Sequence, residues 1–229
     1  MFQDKSLDET LKIIQEGLWH LKDTTSMIAL EHLDAIAKKY EFTLADSLQS
    51  IENILNFNDC TGIYYFEAKF NNLYAKWLIE QGEQYYNLIE RREKFFFYIQ
   101  EIWFENRSGN TPRLSVKRFM KHFVARKGGK NLFLDGWIPL YIGKARNDSF
   151  SSNKGIRYRI IEHIYADYRT TSDQLYSMRL NDLNSTFKDV DFRVSYVELE
   201  KFDEDYLYHL VYFIEKELRY RIKPIIGKQ

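Results

Sequence analysis

Five side chains in this sequence could together make a reactive site: Tyr64, Tyr141, Arg159, His163 and Glu215. Arg159 and His163 stand four residues apart in a stretch that reads as a helix, so both project from one face. Ile160, Ile161, Ile164 and Tyr168 form the neighbouring stripe that would seat that helix on a sheet. Glu215 lies between Val211 and Leu218, at the margin of an apolar helical stripe. A carboxylate half shielded in this way suits a hard cation such as Mg²⁺, bound through oxygen. Glu217 points away and reads as a surface residue. Gly62-Ile63-Tyr64 and Tyr141-Ile142-Gly143 belong to apolar, aromatic runs that read as strands. Glycine inside a strand marks a bulge or a close backbone approach. Taken singly, each feature is ordinary: such Arg/His pairs and helical glutamates are mostly solvated, and strand tyrosines mostly belong to a core or its rim. Their occurrence together, in one order, is the informative fact.

The elements that would position these groups follow from periodicity and punctuation. Residues 1–60 read as helical. Leu7, Leu11, Ile14, Leu18 and Leu21 share one helical face, and Leu44, Leu48, Ile51 and Leu55 another. Thr43 and Asp46 resemble a capping box ahead of that second stripe. Residues 61–70 form a first strand, and 73–105 are helical again. Residues 106–112 are a loop. A basic helix runs from about 115 to 126 and stops at Gly128-Gly129. A second strand covers 137–142, a helix about 156–168, and an alternating third strand 192–199. The last helix, about 204–221, carries Leu207, Leu210, Val211, Ile214 and Leu218 as its buried stripe, with Pro224 just beyond.

With only 3 Pro and 10 Gly in 229 residues, a compact body with few long linkers is expected. No apolar run approaches the roughly 18 residues of a membrane span. The first residues lack the basic-then-apolar pattern of a secretory signal, so a cytoplasmic location is expected. The single Cys60 excludes an internal disulfide and a thiolate metal cluster. The net charge of zero hides strong segregation. Residues 1–60 hold 5 Lys/Arg against 11 Asp/Glu, a net of −6, and residues 110–159 hold 12 against 2, a net of +10. Clustered cations of this kind suit a polyanion such as DNA, unless the acidic segment neutralises them within the fold.

The order of these motifs resembles the GIY-YIG nuclease superfamily, in particular its restriction-endonuclease-like members. The matching residues are Gly62-Ile63-Tyr64, Tyr141-Ile142-Gly143 with Lys144-Ala145 after it, Arg159-x-x-x-His163, and Glu215 nine residues before Pro224. The resemblance covers about 100 residues, 61–70 and 137–227. It implies an α+β fold with a small three-stranded antiparallel sheet flanked by helices. Residues 1–60 would then be a helical N-terminal region and 61–229 a nuclease domain, interrupted at about 71–136 by a basic helical insertion after the first strand. The chain departs from the family's pattern in that long gap, and in Gly227, which stands three residues beyond the proline where Asn is frequent.

The implied activity is metal-dependent hydrolysis of DNA phosphodiesters, with Mg²⁺, or Mn²⁺ as substitute, held by Glu215. Arg159 would stabilise phosphoryl charge. Tyr64 would act as general base, with Tyr141 positioning water or phosphate and His163 sharing the proton traffic or orienting a tyrosine. Arg113, Lys117, Arg118, Lys121, Arg126 and Lys127 on and around the basic helix, with Lys144, are the expected contacts to DNA phosphates, and Phe119 and Phe123 the anchors of that helix. A type II restriction role is the leading expectation. A repair, recombination or mobile-element nuclease is a close variant, and a DNA-binding protein without catalysis a distant one. A two-fold homodimer would suit cutting both strands of a palindrome.

Overall fold

The computed structural model describes residues 36–46, 48–81, 87–105, 112–123, 136–146, 155–165, 177–183, 185–199 and 204–227. The chain divides into two compact units, 1–37 and 38–229, and the elements that follow belong to the second. The helix expected over residues 7–21, and Arg126 and Lys127, lie outside the described residues.

In chain order the elements are β1 (Lys38–Thr43), α1 (Leu48–Ile54), β2 (Gly62–Lys69), α2 (Asn71–Glu80), α3 (Leu88–Phe104), α4 (Val116–Phe123), β3 (Ile138–Ala145), α5 (Ile156–Ile164), two 3₁₀ turns (Leu180–Asp182 and Ser185–Asp189), β4 (Asp191–Glu198) and α6 (Glu204–Ile222). The fold is α+β. Its sheet is antiparallel throughout, with strand order β1-β4-β2-β3. No helix among the described residues is long and apolar enough to cross a membrane.

The expectation of three strands is corrected to four. β1 occupies residues read as helical, and all six of its residues pair with β4, from Asp191 to Tyr196. The reason is a short alternation that the helical reading passed over. Phe42 is buried and stacks on Phe192 of β4, while Tyr40 stacks on Phe57 and Tyr196. Lys39 and Glu41, between and before them, are exposed. The stripe read after it is helical only from Leu48, with Ile51 and Leu55 buried. The expected capping box is corrected to a turn: Thr43 ends β1, and the Asp46 carboxylate accepts from its backbone N–H at 2.6 Å ahead of the helix.

One face of the sheet joins the helices between β2 and β3 in a single aromatic core. Trp77 and Tyr74 of α2 pack on Phe95 of α3. Phe119 of α4 meets Phe96 and Phe70, and Phe70 meets Phe187, which also packs on Trp103. Full burial of one such side chain contributes about 1.5–3 kcal/mol. The completely buried Phe119 therefore anchors α4, and the helix does not need its cations for that purpose. Across the sheet, α6 packs on β2 and β3, where Ile63, Ile142, Val211 and Leu218 are buried.

β3 is an edge strand, and its open edge is covered. The chain beyond α6 returns along it, with the Ile225 and Ile226 N–H groups donating to the carbonyls of Pro139 and Leu140 at 3.0 and 2.8 Å. Arg219 of α6 donates two further bonds, at 2.9 and 2.7 Å, to the carbonyl of Ile142. Pairing these acceptors closes an edge that would otherwise template association.

The start of α5 is capped from far away in sequence. Gly155, just before the helix, has no side chain to satisfy the free N–H groups of the first turn. Asp59 does so instead: its carboxylate accepts from the N–H groups of Gly155 and Arg157 at 3.0 and 2.8 Å. The carbonyl of Cys60 accepts from Ile156 at 2.9 Å. A Cβ at position 155 would lie 2.4 Å from the Asp59 carboxylate, so this close docking needs glycine. Asp59→Ala should destabilise the protein by about 1–2 kcal/mol, the usual worth of a cap, read as a lower midpoint in urea unfolding. An unchanged midpoint would mean that α5 is held by its apolar face alone.

Candidate active site

Strand register places the two tyrosines on one face. Tyr64 stands opposite Gly143 and Phe66 opposite Tyr141, with a bulge between Phe66 and Glu67. The Tyr64 and Tyr141 rings are 6.2 Å apart between centroids. Each glycine of the two tripeptides has its own reason. Gly62 has φ +156° and a Cβ there would sit 2.0 Å from the Val197 carbonyl of β4, so the strands can pair closely only around glycine. Gly143 lies under the Tyr64 phenol, where a Cβ would be 2.4 Å from its oxygen.

The docked α5 brings His163 against both rings, at centroid distances of 5.6 Å to Tyr64 and 4.6 Å to Tyr141. The imidazole is completely buried. Burial first, then the charges of Arg159 and Arg219, push its pKa well below the usual 6.5, so it is neutral at physiological pH. Its tautomer follows from its partners. The Met178 backbone N–H donates to Nδ1 at 3.1 Å, which leaves the ring proton on Nε2. That N–H points at the Tyr64 hydroxyl oxygen, 2.9 Å away, and donates to it. With both nitrogens so engaged, His163 is a positioning residue that fixes Tyr64; of the two roles expected for it, the geometry supports orientation.

Arg159, on the same face of α5, pairs with Glu162, and its charge favours the ionised form of the Tyr64 phenol. Its side chain keeps about a third of its surface exposed, 31%, enough to meet a substrate. Burial opposes its charge, but Tyr64 and Glu162 oxygens outweigh that and hold the guanidinium firmly protonated. Burial, and next the neighbouring Tyr141, push the Tyr64 phenol well above 10, against the pull of Arg159. Tyr141 is also raised by burial, offset mainly by Arg219, whose guanidinium lies 5.3 Å from its ring centre.

Glu215 joins this group from α6. Its two carboxylate oxygens meet Arg219 at 2.9 Å and Lys144 at 3.5 Å. Lys144 in turn lies 3.8 Å from the centre of the Tyr212 ring. Among the described residues no cluster of three or more His, Cys, Asp or Glu gathers, so an all-protein metal cage is not built here. A lone carboxylate still fits Mg²⁺, which usually keeps several waters and takes its remaining ligands from substrate phosphate oxygens. The donor set present, one hard carboxylate beside cations that can turn to phosphate, is of that kind.

The expected phosphate contacts fall into distinct places. Lys144 is in the site itself. Arg113, Lys117 and Lys121 are exposed on and beside α4. Arg118 is half-buried, and its guanidinium donates to the carbonyls of Pro224 and Gly227 at 2.9 and 3.1 Å, so it braces the chain beyond α6. Gly227, at φ +113°, lies beside Arg219: a Cβ there would be 4.0 Å from the guanidinium carbon.

Sequence reading missed Arg219, although it stands one helical turn beyond Glu215, at the spacing where acid and base pair. It also missed Asp59 and the Met178 N–H, for which no local signal exists. No protein-family model matches this chain, nor does any curated protein or solved structure. The arrangement of side chains therefore carries the functional reading by itself.

Proposed function

We propose that this protein is a metal-dependent DNA endonuclease of the GIY-YIG type, serving restriction. One observation carries the reading. Tyr64 of β2, Tyr141 of β3, Arg159 and His163 of α5 and Glu215 of α6, scattered over the sequence, meet around a single point. Phosphodiester hydrolysis needs a base for water, positive charge at the phosphoryl oxygens and neutralisation of the leaving oxygen. Tyr64 is the base, held by the Nε2–H of His163, and that N–H and the charge of Arg159 both stabilise its phenolate. Arg159 also faces the phosphoryl oxygens, and Tyr141 orients the water. Held by Glu215, Mg²⁺ would polarise the phosphate and ease departure of the leaving oxygen.

Because the Tyr64 phenol titrates well above 10, it is protonated at neutral pH and the reactive phenolate is the minor form. Raising pH increases that form. Cleavage should therefore climb about tenfold per pH unit between about pH 7 and 9, without levelling. Supercoiled plasmid incubated with Mg²⁺ or with EDTA tests the activity, and discrete fragments mark restriction whereas nicks at branched or arbitrary sites mark repair. Arg159→Ala should cost about 10²–10³-fold. Absence of cutting of any DNA with Mg²⁺ or Mn²⁺ would end the reading. A Tyr64→Phe variant with the same pH slope as the parent would remove Tyr64 as the base.

A further inference from the structure

We infer that Lys144 of β3 is an exchangeable counter-ion, which keeps a divalent cation off Glu215 until a DNA phosphate draws its ammonium away; the inference rests on the endonuclease reading above. The two oxygens of the Glu215 carboxylate are held differently. Arg219 takes Oε1 at 2.9 Å, and Lys144 takes Oε2 at 3.5 Å. Arg219 is pinned, because its Nε and Nη2 also donate to the Ile142 carbonyl at 2.9 and 2.7 Å. Lys144 has the looser hold, at the longer distance and on a flexible stem, with 30% of its side chain exposed.

The face of Tyr212 gives the ammonium a second resting place. Its ring centre lies 3.8 Å from Nζ. Tyr212 stands three residues before Glu215 on α6, so both meet Lys144 from one face of that helix. The Tyr212 side is open, at 52% exposure, whereas Glu215 is shielded, at 13%. Lys144 thus spans from a shielded carboxylate to an exposed ring, and it can leave the carboxylate without losing every contact.

A metal ion at Oε2 would meet this ammonium directly. Mg²⁺ sits about 2.1 Å from its ligand oxygens, so with Lys144 in place two like charges would share one oxygen. Lone pairs are not the obstacle, since a carboxylate has about four acceptor positions. Charge is the obstacle: Arg219 and Lys144 already offset the single negative group, which leaves little attraction for a further cation. A DNA phosphate changes that balance. It offers the ammonium another anionic oxygen, and it supplies ligand oxygens to the incoming ion. Lys144 then passes to the phosphate, Oε2 is left for the metal, and Arg219 keeps the carboxylate in place. Metal and DNA therefore each raise the affinity for the other by the same factor.

The test is a double-mutant cycle on duplex affinity in EDTA, read by fluorescence anisotropy of a labelled DNA duplex with the full chain. Glu215→Gln should strengthen binding about fivefold at low salt, the upper worth of a partly exposed ion pair, because it frees Lys144 for a phosphate. In the Lys144→Met background the same substitution should change affinity by less than about twofold. An equal gain in both backgrounds would overturn the exchange, since removal of a negative charge alone would then explain it. Mn²⁺ binding to the DNA-free protein, counted by electron paramagnetic resonance, is the second arm. Lys144→Met should tighten it about fivefold while weakening duplex binding in EDTA. Damage to the fold would weaken both, so the two opposite changes are the signature. Mn²⁺ affinity that is unchanged or lower in the variant would overturn the exchange and make Lys144 a support of the carboxylate. Neither arm needs cleavage. A protein that cuts nothing yet shows the cycle sinks the endonuclease reading alone, and one that cuts normally with an additive cycle sinks the exchange alone.

Discussion

Glu215→Gln is expected to lower DNA cleavage in Mg²⁺ by about a thousandfold while leaving the fold and DNA binding in place. The magnitude follows from the several kcal/mol of transition-state stabilisation that a catalytic cation supplies, each 1.36 kcal/mol being tenfold. The fold should survive, because both cations that Glu215 touches have other holds. Arg219 keeps its two bonds to the Ile142 carbonyl, and Lys144 keeps the Tyr212 ring. The glutamine amide has nearly the same shape and can still accept from one of them. DNA affinity in EDTA should stay level or increase, since a negative charge beside the phosphate path is removed. Single-turnover cleavage and duplex anisotropy on the same preparation decide the matter. A variant that cuts within tenfold of the parent would exclude Glu215 as the metal-holding group.

Gly143→Ala should damage both stability and cleavage, through one methyl group. Its Cβ would lie 2.4 Å from the Tyr64 oxygen and 2.8 Å from Cε1 of Tyr141. Neither ring has room to retreat easily. Tyr64 is 1% exposed and sits among Phe66, Tyr141 and His163. Overpacking of this kind costs about 1–3 kcal/mol. The displaced phenol also leaves the Nε2–H of His163, and a shift of about 1 Å in a reacting group costs about a hundredfold in rate. Thermal unfolding and cleavage rate, taken together, give the result, and parental values for both would refute the packing of Tyr64 over Gly143. Gly62→Ala is a poorer probe, because its clash is with the backbone carbonyl of Val197 and the sheet itself would yield.

Much of the architecture was legible because its signals are local. The alternation over residues 192–199 marks β4, the apolar stripe from Leu207 to Leu218 marks α6, and Ile160 with Ile164 marks the seated face of α5. β1 was not legible, because six residues with two inward aromatics are too short to outweigh a helical reading on either side. Its strand identity comes from β4, which offers a full row of partners. The site divides in the same way. Arg159, His163 and Glu215 were singled out by the order of motifs that resembles the GIY-YIG pattern, whereas the cap on α5 comes from Asp59, far back in the chain, and no window of sequence contains both.

By itself the sequence determined which chemical groups exist, their order, and the face that each turns along its own helix or strand. Charge along the chain is likewise additive and could be counted. Only the tertiary structure decided how those charges are used. Of the cations in the basic stretch, Arg118 is taken up by backbone carbonyls and Lys144 by Glu215. It decided too that His163 is neutral and carries its proton on Nε2, because burial and the Met178 N–H set both. The physical reason is range: periodicity acts over a few neighbouring residues, but Coulomb attraction, desolvation and hydrogen bonding depend on distances in space.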